Sequence, residues 1–124
     1  MSAPTPPATH SLLFAYGSLK RGHSNHHELG AARFVAQART APHYALRLLA
    51  GYPLLVLGTS SILGELFELP RAHLAALDAF EGESYQRREV ELEGGGRAIA
   101  YLACDASSGA PYPAQHWPAP ETAG

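Results

Sequence analysis

Residues 11–22 read SLLFAYGSLKRG, and this stretch decides the fold. The apolar, aromatic-rich run Ser11–Tyr16 predicts a buried strand. The loop that follows, Gly17–Gly22, is bounded by glycines, which let the backbone turn sharply and approach a ligand closely. Successive free N–H groups in such a turn form an anion-binding concavity, and Lys20 and Arg21 add positive charge beside it. The stretch therefore predicts a strand that leads directly into a binding loop, although a solvated surface turn fits the same pattern.

Short apolar or alternating runs follow this loop and predict further strands. They are Phe34–Thr40, Tyr44–Leu49, Tyr52–Leu57, Ser61–Leu69, Tyr85–Leu92 and Arg97–Ala103. One amphipathic helix is predicted over Pro70–Phe80, with Gly82 at its C-terminal cap. Because repeated βα units are absent, we expect an α+β fold, a small mixed β-barrel of about six strands with short flanking helices.

Proline usage sets the expected domain limits. Seven of the ten prolines lie near the two ends of the chain, where apolar periodicity is lacking. Such segments cannot recover their ordering entropy by burial. We therefore expect a disordered segment over residues 1–10, one folded domain over residues 11–104 and a Pro/Ala-rich tail over residues 105–124. Whether the tail and its Trp117 dock on the domain stays open at this stage.

Composition argues against several classes of protein. The net charge of −2 disfavours a general nucleic-acid binder, and no apolar run approaches the roughly 18 residues of a membrane span. The N-terminus lacks the basic start and apolar stretch of a signal peptide. A single cysteine, Cys104, cannot form an internal disulfide, so we expect a cytoplasmic protein. We also expect the protein to be either a monomer or a weak homodimer.

The charge is distributed unevenly along the chain. Residues 1–62 carry five Lys/Arg against one acid, whereas residues 63–124 carry four Lys/Arg against ten acids. One half of the chain is thus able to hold an anionic ligand while the other supplies a carboxylate.

Glu81 is the carboxylate that stands out. It follows Leu74 by seven residues and Leu77 by four, so in a continuing helix it projects on their apolar face. Burial there and the negative end of the helix dipole both raise a carboxyl pKa, which suits a general acid or base near neutral pH. If the chain unwinds beside Gly82, Glu81 instead lies in water.

Other chemistries find weaker support. His23 and His27 have helical i, i+4 spacing, but the sequence offers no third metal ligand at a supporting spacing, so we expect no metal site. The GxxxxG spacing of Gly17–Gly22 has His23 where a phosphate-binding loop needs lysine. Nothing near Cys104 marks an activated thiolate, and Ser18 is not in a GxSxG turn.

Four stretches together resemble the gamma-glutamylcyclotransferase-like proteins, in particular the AIG2-like and gamma-glutamylamine cyclotransferase branch. They are FAYGSLKRG at residues 14–22, with Asn25-His26 and Leu29; Gly51-Tyr52-Pro53; GELFEL at residues 64–69; and LDAFEG at residues 77–82, with Tyr85-Gln86-Arg87. They lie in the family's order and span most of residues 12–103.

The resemblance implies a small β-barrel whose cavity holds a gamma-glutamyl group and whose reaction needs no protein nucleophile, metal or cofactor. It implies that Glu81 is the acid/base and that Tyr16, Gly17, Ser18 and Leu19 form the substrate-binding loop. Tyr85 and Arg87 match the Y-x-R positions, where they either touch the substrate or brace the site.

The implied activity is release of 5-oxoproline and a free amine or amino acid by internal aminolysis of a gamma-glutamyl compound. The alternative is a non-catalytic small-molecule-binding barrel of the same fold, because fold does not fix function. The two differ in geometry, since the catalytic hypothesis requires the Glu81 carboxylate and the Gly17–Leu19 backbone to face one cavity.

Overall fold

The computed structural model of the chain describes residues 6–118. Within that range eight strands form, in the order β1 (His10–Ala15), β2 (Arg33–Arg39), β3 (Tyr44–Leu49), β4 (Tyr52–Leu57), β5 (Leu63–Pro70), β6 (Tyr85–Glu91), β7 (Arg97–Ala103) and β8 (Ala110–Tyr112). One α-helix, α1 (Leu74–Glu81), follows a 3₁₀ turn at Arg71–His73, and another 3₁₀ turn covers His26–Leu29. No helix among the described residues is long and apolar enough to cross a membrane.

The strands form one mixed sheet in the order β2-β5-β1-β7-β4-β3-β8, with β6 paired to β7. The β1–β7 and β4–β7 pairs are parallel, and the other pairs are antiparallel. The sheet curls into a half-barrel with one short helix, so the predicted fold class is confirmed. The structure has more strands than the six or so expected, chiefly because of β8. This strand has only three residues and contains Pro111, so its pairing with β3 was not expected from the sequence.

The first strand divides the core into two layers. Leu12 and Phe14 pack in one apolar cluster with β3, β4 and β7, whereas Leu13 and Ala15 pack in a second cluster with α1 and the 3₁₀ turn at residues 26–29. Successive strand residues point to opposite faces, and both faces of β1 are covered. This double burial explains why SLLFA is apolar at consecutive positions rather than at alternate ones.

A split in the sheet positions the functional loop. Two strands share one edge of β7. Leu13 of β1 pairs with Ile99, and further along the same edge Leu55 of β4 pairs with Leu102. The chain leaves β1 at this junction and enters the loop at Gly17. The loop therefore lies where two strands diverge, which is where sheets commonly open a crevice for ligands.

The predicted helix Pro70–Phe80 is displaced at both ends. Pro70 ends β5, paired with His10, and its extended backbone (ψ 137°) excludes it from the helix. The α-helix continues through Glu81, and Gly82 caps it with a φ of 74° and an N–H that donates to Asp78 O. A φ of this sign suits glycine, as the sequence predicts.

The two ends of the chain pack on the sheet further than proline content indicates. His10 already lies in β1, while residues 1–5 of the segment expected to be disordered lie outside the described residues. In the tail, β8 pairs with β3, the Leu63 N–H donates to Gln115 O at 2.8 Å, and Lys20 Nζ donates to Trp117 O. The tail therefore docks as far as the structure describes it.

Replacing Gly64 by alanine should destabilise the fold. A Cβ at Gly64 would lie 2.5 Å from Ala15 O and 2.6 Å from Phe14 Cζ, contacts that β5 can relieve only by moving away from β1. Overpacking of this kind costs about 1–3 kcal/mol, so the denaturant midpoint of Gly64→Ala should fall clearly below that of the wild type. An unchanged midpoint would contradict this close approach of the two strands.

Candidate active site

A cavity of about 310 Å³ opens at the junction of β1, β4 and β7. Six of the seven residues singled out in the sequence line it: Tyr16, Gly17, Ser18, Leu19, Glu81 and Tyr85. The catalytic hypothesis requires the Glu81 carboxylate and the Gly17–Leu19 backbone to face one cavity, and all four of these residues line it. The loop and Glu81 are far apart in the sequence, but the loop follows β1 and Glu81 ends α1, and the fold places these two elements side by side.

Glu81 occupies the last position of α1, so the helix does not unwind before it. The side chain is half-buried, and no group within residues 6–118 donates a hydrogen bond or forms an ion pair with its carboxylate. Burial raises the pKa of the Glu81 carboxyl to about 7, because the charged form is desolvated without a compensating partner. At neutral pH the group is therefore able both to accept and to return a proton.

The carbonyls of the loop accept hydrogen bonds, whereas its first three N–H groups have no acceptor among the described residues. The carbonyl of Gly17 accepts from Lys20 N at 3.1 Å, and that of Ser18 accepts from Asn25 N at 3.1 Å. The Leu19 carbonyl accepts from His26 Nδ1 at 2.8 Å, which places the proton on that nitrogen. The N–H groups of these three loop residues have no acceptor in the described part of the chain. Such a row of unpaired donors is a site for an oxygen anion.

Gly17 is required by a close approach of two segments. A Cβ at this position would lie 2.9 Å from Cγ of Pro53, at the start of β4. The proline ring cannot yield as a flexible side chain would, so glycine lets the loop lie against β4. The two motifs AYGSL and GYP thus meet in space at this contact.

Tyr16 lines the cavity, but its hydroxyl serves the fold. The Leu55 N–H donates to Tyr16 Oη at 3.1 Å, and Tyr16 Oη donates to Tyr101 O. These bonds link β1, β4 and β7 at the junction where the sheet splits. Burial, followed by the charge of Tyr85, holds the pKa of Tyr16 well above its usual value. The hydroxyl thus holds in place the residue that directly precedes the loop.

Tyr85 and Arg87 differ in their position relative to the cavity. Tyr85 lines the cavity and donates its hydroxyl to Pro53 O at 3.0 Å; burial and the charge of Glu81 raise its pKa to about 12. Arg87 lies outside the cavity lining and pairs with Asp78 at 3.5 Å. Asp78 also accepts from the Tyr101 hydroxyl at 2.8 Å. Arg87 therefore braces α1, the helix that ends in Glu81.

The basic residues of the first half of the chain are engaged elsewhere. Arg21, Arg33 and Arg39 pair with acids of the second half, at 3.2 Å from Glu65, 3.0 Å from Glu68 and 4.0 Å from Glu93. Lys20 donates to Trp117 O, and Arg47 donates to carbonyls of residues 107–109. These basic side chains are thus engaged outside the cavity, whose lining contains no Lys or Arg.

The histidines of the loop region do not converge. The ring of His23 packs against Trp117 at 5.5 Å between centroids, whereas His27 pairs with Glu28 at 3.2 Å. The 3₁₀ turn covers only His26–Leu29 and His23 lies before it, so the i, i+4 helical geometry is not realised. Within residues 6–118, no three His, Cys, Asp or Glu side chains cluster as metal ligands.

A wider depression of about 630 Å³ lies apart from this site and shares no lining residue with it. Its charged residues include Arg39 and Glu93, which pair with each other, and Glu65, which pairs with Arg21. Both of its carboxylates, Glu65 and Glu93, are already paired with arginines. The smaller cavity is therefore the better candidate for chemistry.

Sequence reasoning missed several residues of the site. Asn25 donates from Nδ2 to Ser18 Oγ at 2.9 Å and holds the loop. Asp78 and Tyr101 brace α1, and their only signal in the sequence is their place within the LDAFEG segment and the predicted strand Arg97–Ala103. Leu49, Tyr52 and Phe80 form an apolar rim, which their exposure reveals and periodicity does not.

The chain is similar to known proteins of one family. Residues 13–119 match the family model described as "Gamma-glutamyl cyclotransferase, AIG2-like". A curated relative from Vibrio cholerae is 39% identical over 82 residues, covering 66% of this chain and 71% of the relative. Gamma-glutamylaminecyclotransferase C of Danio rerio is 37% identical over 93 residues, covering 65% of this chain and 61% of the relative.

Solved structures resemble the fold as well. The crystal structure of an AIG2-like protein from Mus musculus superposes with a TM-score of 0.66 at 27% sequence identity, covering 80% of each chain. Together with the curated matches, this likeness confirms the resemblance drawn from the four sequence motifs.

Proposed function

Because the chain belongs to the gamma-glutamyl cyclotransferase, AIG2-like family and is an enzyme of that type, we propose that it releases 5-oxoproline from a gamma-glutamyl compound by internal aminolysis. One observation carries the mechanism: a buried carboxyl with a pKa of about 7, Glu81, lines the same cavity as the free N–H groups of Gly17, Ser18 and Leu19. The pair supplies a proton carrier and an anion anchor to one bound molecule.

The proposed reaction balances without a co-reactant. The substrate's α-nitrogen attacks its own γ-carbonyl carbon, a C–N bond forms to close the five-membered ring, and the amide C–N bond to the leaving group breaks. The α-ammonium gives up two protons and keeps one as the ring N–H. Those two protons end on the leaving nitrogen, which departs as an ammonium ion.

Glu81 is proposed to carry the proton between these nitrogens. As carboxylate it takes a proton from the α-ammonium, and as carboxylic acid it returns one to the leaving nitrogen. One positioned group of this kind contributes roughly 10²–10⁴-fold in rate. The absence of a hydrogen-bond donor to Glu81 within the described residues supports this role, since a fixed partner would favour one protonation state.

The loop is proposed to hold the substrate's α-carboxylate. The cavity lining contains no Lys or Arg, so the three N–H groups are its strongest anion donors. Ser18 adds its hydroxyl hydrogen, because Asn25 Nδ2 already donates to Ser18 Oγ. Anchoring this end of a flexible chain favours the folded conformation in which the amine reaches the carbonyl, and such orientation is worth up to roughly 7–11 kcal/mol.

The direct test is 5-oxoproline release from a panel of gamma-glutamyl amino acids and gamma-glutamyl amines. We expect turnover of at least one member by the wild-type protein without added metal or cofactor. The binding-barrel alternative predicts saturable binding of a panel member, measured by calorimetry, with no 5-oxoproline formed. That result from folded protein would overturn the proposed reaction.

The pH dependence should report Glu81. Since its pKa is raised to about 7 and the base form must be ionised, kcat/KM should fall about tenfold per pH unit below pH 7. The substrate's own ammonium also titrates, but it is common to every variant. If kcat/KM falls at low pH with a midpoint near 7, and this fall is absent from the residual activity of Glu81→Gln, the titrating group is the Glu81 carboxyl. A wild-type kcat/KM that is flat between pH 5 and 8 would exclude Glu81 as the base.

A further inference from the structure

The rim of the cavity carries an unusual concentration of exposed apolar side chains. Among the described residues four large hydrophobic side chains are exposed: Leu49 (40%), Tyr52 (43%), Leu57 (77%) and Phe80 (38%). Three of the four, all except Leu57, line the cavity that holds Glu81. Exposed apolar side chains clustered at one opening mark a ligand contact rather than chance. We refer to Leu49, Tyr52 and Phe80 as the rim.

Two separate elements build the rim. Leu49 and Tyr52 are directly opposite each other across the turn that joins β3 to β4. Both turn residues have positive φ, 52° at Ala50 and 85° at Gly51, as in the tight hairpin turns that keep strand pairs in register. Tyr52 is further supported by Trp117, whose ring centroid lies 6.1 Å away. Phe80 comes from the other side, on α1 beside Glu81. The rim is thus held by the fold.

The rim side chains are apolar and do not suit the charged end of a gamma-glutamyl group. A volume of about 310 Å³ is at the small end of the roughly 300–1,000 Å³ of small-molecule sites. The charged glutamyl end requires the loop N–H groups and Glu81, and apolar side chains cannot bind it. What remains for the rim to contact is the leaving group.

The charges in and near the cavity limit further which leaving groups fit. Glu81 is the only charged side chain in the lining, and it repels a second carboxylate. The nearby cations are committed, Lys20 to Trp117 O and Arg87 to Asp78. A leaving amino acid would therefore place its carboxylate beside apolar surface and a like charge, which is unfavourable.

We propose that the leaving amine has an apolar or aromatic body, and that Leu49, Tyr52 and Phe80 determine this specificity. The inference rests on the proposed function, because it concerns the amine released by that reaction. It makes the rim a specificity surface, distinct from the loop and Glu81, which act on the gamma-glutamyl end.

Three probes separate the contributions: the gamma-glutamyl derivatives of methylamine, phenethylamine and phenylalanine. Phenethylamide and methylamide differ by the apolar body, whereas phenethylamide and the phenylalanine derivative differ by one carboxylate. We expect kcat/KM for the phenethylamide to exceed that for each of the other two by about tenfold or more, the scale of one well-buried apolar group. Equal values for phenethylamide and methylamide would overturn the proposal.

Substitutions locate the preference on the rim. Leu49→Ser and Phe80→Ser should each lower the phenethylamide-to-methylamide ratio severalfold, with thermal melting used to verify the fold. Leu57→Ser is the matched control, because Leu57 is at the other end of β4 from Tyr52, roughly 17 Å away. An equal fall of the ratio in Leu57→Ser, or no fall in either rim variant, would refute the assignment.

The outcomes distinguish this inference from the function on which it rests. Turnover of all three probes with a flat ratio refutes the rim specificity and leaves the cyclotransferase reaction standing. No 5-oxoproline from any probe or from the wider panel refutes the reaction, and the inference with it.

Discussion

Glu81→Gln should lower kcat/KM by about 10²–10⁴-fold while the protein remains folded. Glutamine keeps the size of the side chain but cannot take a proton from the substrate's ammonium. The measurement is 5-oxoproline release by wild type and variant on the best substrate of the panel. Glu83→Gln is the control, because Glu83 is exposed just beyond Gly82 and lies outside the cavity lining.

The same substitution should make the protein more stable above neutral pH. The pKa of Glu81 is raised from 4.5 to about 7 in the folded protein, so folding favours the protonated carboxyl. The contribution of Glu81 to wild-type stability is therefore fully present below pH 4.5 and is lost as pH rises through 7. Glu81→Gln lacks this loss, and we expect it to gain about 1–3 kcal/mol over wild type at pH 8 and little at pH 4.5.

Together the two measurements identify a carboxyl whose burial serves chemistry at the expense of stability. Activity that survives in Glu81→Gln would remove Glu81 as the proton carrier. A variant that is less stable than wild type at pH 8 would show instead that the carboxylate is well solvated or paired, contrary to its raised pKa.

Gly17→Ala should reduce kcat/KM by about 10²-fold, the second largest effect expected. The added Cβ would lie 2.9 Å from Pro53 Cγ, so the loop must move away from β4 and carry its three N–H groups with it. A displacement of about 1 Å at a positioned group costs on the order of 10²-fold in rate. The effect should be on binding as well as on turnover, because the loop is proposed to anchor the α-carboxylate.

A double substitution provides the control for this steric argument. Pro53→Ala removes the ring atom that the new Cβ would meet, so Gly17→Ala/Pro53→Ala should recover part of the lost activity. The single Pro53→Ala variant supplies the baseline for the double-mutant cycle. If the double variant is as impaired as the product of the two single losses, the contact does not explain the need for glycine.

Much of the fold follows from local patterns. The limits of β3, β4 and β7 agree with the runs predicted from the sequence, because each run ends at a turn or a polar segment. Gly82 caps α1 as predicted, since helix C-termini require a positive φ. The strand β8 was not predicted, because three residues that include Pro111 gain their structure from pairing with β3 and not from their own propensity.

The site was predictable where one residue carries the chemistry and not where residues support one another. Glu81 stood out by its helical spacing from Leu77, and the loop by its glycines. The use of the Tyr16 hydroxyl to join three strands depends on which strands meet, which one sequence does not reveal. The brace of Arg87 on Asp78 likewise depends on the distance between β6 and α1.

The pairing of β8 with β3 has a consequence for how the chain may be shortened. β8 covers Leu46–Leu48 of β3, and the Arg47 guanidinium fastens the preceding turn through carbonyl oxygens at 2.7, 3.2 and 3.0 Å. A fragment trimmed at residue 104, the boundary that composition favours, would expose that row of backbone donors and acceptors. Exposed rows of this kind recruit strands from other molecules. The proline-rich tail therefore covers this edge of the sheet, and we expect a truncated protein to aggregate more readily.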